Sequence, residues 1–111
     1  MTTEDVKTES GTQEIVETFA SREDVNQRLR ETRDLTGADL SGMDLAGLKV
    51  GGAKMTGVKL SGANLTEAKI GGADMGEADL SGAEASGAKI AGVNLAKAVL
   101  RAIKLAASTI A

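Results

Sequence analysis

A large aliphatic residue occupies every fifth position of the chain from Leu35 to Ile110, with Ala85 as the single exception. A period of five fits neither an α-helix, which repeats after about 3.6 residues, nor a β-strand, which repeats after about two. Around each aliphatic centre, a small residue lies two positions before, a polar residue one before, and usually a Gly two after. The pattern therefore predicts a coil in which each repeat forms one short side and the chain turns at the Gly.

The aliphatic centres also segregate with a period of twenty. One column contains only β-branched residues and another contains only Leu, which a true period of twenty explains. We therefore expect four coils with four sides each, stacked about 4.8 Å apart. The core predicted from these two columns consists of Leu40, Leu60, Leu80 and Leu100 together with Val50, Ile70 and Ile90.

The part of the chain before the repeats has a different character. Residues 1–12 are polar and acidic, which predicts a disordered tail. Residues 13–33 are predicted to form an N-terminal capping segment, with a helix at about 22–33 that begins after Ser21. Val25 and Leu29 share one face of that helix, and its other face is charged. Residues 34–111 form the repeat region.

The repeat unit reads Ala-(Asp/Asn)-Leu-Ser-Gly, which occurs unaltered at Ala38–Gly42 and Ala78–Gly82. It resembles the signature of the pentapeptide-repeat family, over about residues 33–111. The resemblance implies an all-β solenoid: a right-handed quadrilateral parallel β-helix of about four coils, with a short N-terminal capping helix.

The chain departs from the family pattern in three ways. Ala85 replaces an aliphatic centre, which predicts a gap or a narrowed side in the third coil. Lys or Val replaces Asp or Asn at several positions, and after Gly92 the Gly positions hold Lys97, Ala102 and Ala107. Residues 96–111 also favour a helix by composition, so they form either a fourth coil, which the continuing period favours, or a terminal helix that caps the third coil.

The composition of the chain excludes the commonest catalytic and metal-binding side chains. The chain has no His and no Cys, so the common general base, thiol nucleophile and thiolate metal ligand are absent. We therefore predict no enzyme activity, no catalytic residues, no cofactor and no metal site. No apolar run is long enough to cross a bilayer and no signal peptide begins the chain, so we expect a cytoplasmic protein without membrane contact.

Charge placement identifies a first candidate surface. The net charge is −3, and residues 34–111 hold eight basic and eight acidic side chains, so the repeat region is neutral. A period of twenty alternates opposite charges in two outward columns, but it stacks Lys49, Lys69 and Lys89 in a third. These ammonium groups either spread into solvent, are compensated by neighbouring acids such as Glu67, or contact an anionic partner.

A second candidate surface is the C-terminal end of the coil. A β-helix end exposes its core and its backbone groups unless something covers it. Val99, Ile103, Leu105 and Ile110 are predicted to form an apolar face there. We expect a second copy of the chain or another protein to bury this face.

The sequence thus predicts a non-enzymatic scaffold or protein–protein interaction module, with no direct contact to nucleic acid. The resemblance adds an alternative, because the best-known family activity is to bind type II topoisomerase by imitating duplex DNA. Such mimicry needs dense negative charge, which a neutral repeat region with Lys columns lacks. A small component of a secretion or phage-like assembly is the third alternative.

Overall fold

A computed structural model of the chain describes residues 21–111, which form a right-handed quadrilateral parallel β-helix of four coils behind an N-terminal helix. Helix α1 spans Arg22–Glu31. The four strands, one in each coil, are β1 (Lys49–Gly51), β2 (Lys69–Gly71), β3 (Lys89–Ala91) and β4 (Thr109–Ile110). They form one parallel sheet in the order β1-β2-β3-β4. The predicted fold class is confirmed.

The register of the sheet confirms the period of twenty. Lys49 pairs with Lys69, and Lys69 pairs with Lys89. The other three sides of each coil are held by single parallel bridges between residues twenty apart, such as Asp39 with Lys59. Backbone hydrogen bonds run along the rod axis: the Leu40 N–H donates to the Lys59 carbonyl at 2.7 Å, and the Lys59 N–H donates to the Ala38 carbonyl at 2.8 Å.

The core is a narrow column of aliphatic side chains. The predicted core residues Leu40, Leu60, Leu80, Val50, Ile70 and Ile90 are all buried. Leu100 is 40% exposed and does not belong to the buried core. The reason is its position in the fourth coil, beneath which the described residues place no further coil.

The turn at each corner uses a left-handed backbone conformation. Gly37 (φ 69°) and Gly62 (φ 69°) illustrate the majority, where Gly adopts this conformation without strain. Lys97, Ala102 and Ala107 take the same conformation in the fourth coil, with φ of 61°, 61° and 58°. Residues 96–111 therefore form a fourth coil and not a terminal helix, because axial hydrogen bonds and the aliphatic columns outweigh local helix propensity.

Helix α1 is two residues shorter than predicted. The Thr32 and Arg33 N–H groups both donate to the Arg28 carbonyl, at 2.9 and 3.2 Å. Arg33 then has φ 56°, and its carbonyl accepts the Lys54 N–H at 2.8 Å, so the first coil begins there. Val25 is fully buried and Leu29 packs against the core, as their shared face predicts. The predicted tail at 1–12 and residues 13–20 of the capping segment lie outside the described residues.

Candidate interaction surfaces

The Asp and Asn side chains before each aliphatic centre are built into the corner turns. The Asp39 carboxylate accepts the Ser41 N–H at 3.1 Å, and the Asn94 side-chain oxygen accepts the Ala96 N–H at 2.9 Å. Sequence reasoning treated these positions only as polar surface. The preference of short Asp and Asn side chains for turns of this kind was the signal that it missed.

The same turns keep several carboxylates ionised. The side chain and then the backbone N–H of Ser41 hold the pKa of Asp39 below its ordinary value, and the charge of Lys59 adds to this. Thr36 lowers the pKa of Asp34 in the same way, and Ser81 lowers that of Asp79. These carboxylates are turn caps within charge-alternating columns, so their geometry gives them a structural role.

The predicted Lys column lies on the β1–β4 side of the rod. We call this side the lysine face, and define it by Lys49, Lys69 and Lys89 with the flat floor Gly51, Gly71 and Ala91. A shallow groove of ≈ 430 Å³ follows the three Lys residues and this floor. Within residues 21–111, none of the three ammonium groups makes a hydrogen bond or an ion pair.

Two Arg residues extend the lysine face toward α1. A second groove of ≈ 760 Å³ is lined by Arg30, Arg33 and Lys49, and it shares Val50 and Gly51 with the first groove. The Arg33 guanidinium lies over Gly52, where Nη1 would be 3.8 Å from an added Cβ. The sequence did not suggest this extension, because the helix is not in register with the repeats.

Glu67 does not neutralise the lysine face. Its side chain packs against Gly87 of the next coil, where an added Cβ would lie 3.1 Å from the Glu67 Cγ. In the described part of the chain its carboxylate makes no ion pair with Lys69 or Lys89. The compensation that the sequence allowed is therefore not made.

The lower surface of the fourth coil, which we call the open end, is apolar. It is defined by Leu95, Leu100, Ile103, Leu105 and Ile110. These residues line one end of a hollow of ≈ 20 Å³ in the core, and the rest of its lining, which includes Ala85, lies in the second and third coils. Leu100 is 40% exposed and Ile110 is 53% exposed. The small Ala85 side chain contributes to the hollow, as the missing aliphatic centre predicted.

Backbone groups at the open end also lack partners. The Leu80 N–H in the third coil donates to the Val99 carbonyl at 2.8 Å. The equivalent N–H groups of Leu95, Leu100 and Leu105 have no acceptor among residues 21–111. The open end is thus an uncovered edge that carries both apolar side chains and unsatisfied donors.

Three of the four residues predicted to form the C-terminal apolar face lie together in the structure, and the fourth does not. Ile103, Leu105 and Ile110 are brought together at the open end, and Leu95 and Leu100 join them through the same five-residue period. Val99 lies on the side of the rod, in register with Asp79, and is 42% exposed. The charged residues of the fourth coil are all basic: Lys97, Arg101 and Lys104.

Two kinds of site are absent from residues 21–111. No group of three or more His, Cys, Asp or Glu side chains is placed to hold a metal ion. Over the same residues, no helix has the length and apolar character needed to cross a bilayer. What these residues do offer is two surfaces, one cationic and one apolar.

The model of the family described as pentapeptide repeats matches residues 33–62 and 63–101, in eight copies, which is more than half of the chain. The chain belongs to the pentapeptide-repeat family. Pentapeptide-repeat proteins are generally non-catalytic. In this pentapeptide-repeat protein, the matched residues include the lysine face and part of the open end.

Three solved pentapeptide-repeat structures are similar to this chain. Rfr23 from the cyanobacterium Cyanothece 51142 is 30% identical, with 70% of this chain and 50% of that one covered at TM-score 0.44. The protein alr5209 from Nostoc PCC 7120 is 26% identical, with 84% and 79% covered at TM-score 0.45.

HetL from Nostoc sp. strain PCC 7120, which is involved in the regulation of heterocyst differentiation, is 35% identical. The alignment covers 64% of this chain and 35% of HetL at TM-score 0.43. This pentapeptide-repeat protein therefore spans half of Rfr23 and about a third of HetL. No similar sequence was found among the curated proteins.

Proposed function

We propose that this pentapeptide-repeat protein is a non-enzymatic interaction module that self-associates through the open end of its fourth coil. The observation that carries the proposal is the combination of half-exposed Leu100 and Ile110 with the unpaired N–H groups of Leu95, Leu100 and Leu105. Covering this end removes apolar surface from water and supplies acceptors to the donors. Both effects favour association of the open end with a second protein surface.

Backbone strain makes the fourth coil dependent on such cover. Lys97, Ala102 and Ala107 adopt left-handed conformations that cost a residue with a Cβ roughly 1 kcal/mol or more each. The third coil, in contrast, has Gly at three of its four left-handed turns (Gly82, Gly87 and Gly92), with Glu77 at the fourth. A partner that buries the fourth coil would offset its strain by mass action.

A second copy fits this edge by symmetry. A two-fold axis brings identical edges together, and each edge carries donors from Leu95 and Leu100 as well as free carbonyls at Ala98 and Ile103. The like charges of Lys97, Arg101 and Lys104 would approach one another in that arrangement. Because these side chains are exposed, salt screens their repulsion, so self-association should strengthen as salt rises.

Sedimentation equilibrium over a range of protein concentrations tests the proposal. The wild-type protein should dimerise, and more tightly at high than at low salt. Ile110→Glu should be monomeric, because it would place a charge in the apolar contact. Val99→Asn is the matched control: it removes an exposed apolar side chain from the side of the rod and should leave the dimer intact.

A wild-type protein that stays monomeric at every concentration would contradict self-association. Tight binding of an acidic partner from the host, weakened by salt and by Ile110→Glu, would assign the open end to another protein instead. The charge pattern gives no support to DNA mimicry, because residues 34–111 hold as many basic as acidic side chains. No feature favours a secretion or phage-like assembly.

A further inference from the structure

We infer that the lysine face, extended by Arg30 and Arg33, is a docking site for an extended acidic segment of a partner protein. This surface lies on the side of the rod and is separate from the open end. Its five cationic side chains follow the rod from α1 to the third coil. The ligand class is a carboxylate-rich peptide that lies along the rod axis.

The cations are arranged in a fixed register. Parallel pairing places Lys49, Lys69 and Lys89 side by side on adjacent strands, about 4.8 Å apart along the axis. Like charges in direct register destabilise a sheet modestly. The alternating columns on two other sides avoid this arrangement, and Glu67 does not relieve it. An anionic ligand would remove the repulsion and gain several charge-assisted contacts at once.

The floor beside the cations admits close approach of a chain. Gly51 and Gly71 have no side chain, and an added Cβ on Gly51 would meet nothing within 4 Å. The two grooves are continuous through Val50 and Gly51, so an extended segment could pass from Arg30 and Arg33 to Lys89 without interruption.

Peptide fits better than nucleic acid for two reasons. Single-stranded nucleic acid is usually held by bases that stack on aromatic side chains, and the only aromatic residue of the chain, Phe19, lies outside the described residues. A duplex is wider than one side of this rod, so it would also meet the adjacent column, where Asp34 and Asp74 alternate with Lys54. There Thr36 holds the pKa of Asp34 below its ordinary value and keeps that carboxylate charged.

Fluorescence anisotropy with the full chain tests the inference. The probe is a labelled peptide of alternating Glu and Ser, compared with a labelled single-stranded oligothymidine of similar length. The triple variant Lys49→Gln, Lys69→Gln, Lys89→Gln should bind the peptide about tenfold more weakly. It should unfold at the same or a higher temperature than wild type, because removing the Lys repulsion does not weaken the fold.

The matched control is Lys54→Gln, Lys59→Gln, Lys97→Gln, which changes the net charge equally but leaves the lysine face intact. Its affinity for the peptide should stay within about twofold of wild type. Arg30→Gln alone should weaken binding severalfold, which would place the α1 end of the groove in the site.

Three results would overturn the inference. Equal weakening by the two triple variants would mean that net charge, and not this face, attracts the peptide. Tighter binding of the oligothymidine would make the face a nucleic-acid surface. Loss of peptide binding in Ile110→Glu, with no loss in the lysine-face variant, would move the peptide to the open end and leave the proposed self-association to be judged by sedimentation alone.

Discussion

The side-chain amide of Asn94 donates a hydrogen bond to the Asp74 carboxylate at 3.1 Å, across the boundary between the third and fourth coils. The same Asp74 oxygen accepts the Gly76 N–H at 3.1 Å. Asn64 and Asp44 repeat the arrangement between the first two coils at 3.3 Å. In these two pairs the turn caps also link neighbouring coils, and the donor has to be Asn because an ionised Asp has none.

Asn94→Asp should therefore destabilise the protein at neutral pH by about 1 kcal/mol, since it removes one hydrogen bond and stacks two carboxylates. Urea unfolding measures the loss. Because repulsion contributes to it, the deficit should shrink as the solution is acidified. Asn94→Ala is the control, and its deficit should change less with pH, because it introduces no second carboxylate. Equal pH dependence in the two variants would contradict this account.

Stability should also depend on pH through the turn caps with lowered pKa values. Asp34, Asp39 and Asp79 have folded-state pKa values below their ordinary value, mainly through the side chains of Thr36, Ser41 and Ser81. A carboxyl with a depressed folded pKa stabilises the fold above its unfolded pKa of about 3.9, and this contribution disappears as pH falls through the folded value. Stability should therefore be flat above about pH 5 and decline below it.

Asp39→Asn isolates one of these contributions. The amide oxygen still accepts the Ser41 N–H, as the Asn64 oxygen accepts the Thr66 N–H at 3.0 Å, but it cannot titrate. The variant should lose less stability than wild type between pH 5 and pH 2, measured by thermal unfolding. An identical acid profile would show that Asp39 contributes nothing to the pH dependence.

The period of five and the columns of twenty predicted the fold, the strand register and most of the core, because each is a property of the repeat itself. The exposure of Leu100 was not predicted, because the burial of an aliphatic centre depends on whether another coil lies beneath it. The contribution of Arg30 and Arg33 to the lysine face was not predicted for a different reason. Helix α1 is outside the repeat, so its position against Lys49 depends on packing. The role of Asn94 as a link between coils required the side-chain geometry.

Core truncations should show how burial changes along one column. Leu60 is fully buried and Leu100 is 40% exposed, although both are centres on the same side. Leu60→Ala should cost about 2–5 kcal/mol, and Leu100→Ala should cost clearly less at low protein concentration. If the open end self-associates, the cost at Leu100 should rise with protein concentration in urea unfolding, and the cost at Leu60 should not. Equal costs at low concentration would contradict the exposure difference.

Filling the hollow that Ala85 lines should stabilise the third coil. Leu45, Leu65 and Leu105 occupy the same column, so the backbone there accepts Leu. Ala85→Leu should raise stability by about 1 kcal/mol in thermal or urea unfolding. Ala83→Leu is the control: Ala83 is fully buried at a corner, where extra bulk should cost about 1–3 kcal/mol. Destabilisation by both variants would mean that the hollow cannot admit a larger side chain.

Ala107 and Ala106 are neighbours in the fourth coil that should respond oppositely to Gly. Ala107 has φ 58°, whereas Ala106 is not among the residues with positive φ. Ala107→Gly should stabilise the fourth coil by about 1 kcal/mol, because Gly adopts this conformation without a Cβ clash. Ala106→Gly should destabilise it by about 0.5–1 kcal/mol, because it only adds freedom to the unfolded chain. Hydrogen exchange of the Lys104 and Thr109 amides, which flank the two positions and donate to the Ala83 and Ala88 carbonyls at 2.9 and 2.8 Å, reports both changes where they occur. A loss of protection in Ala107→Gly would show that the left-handed turn is not a source of strain in the fourth coil.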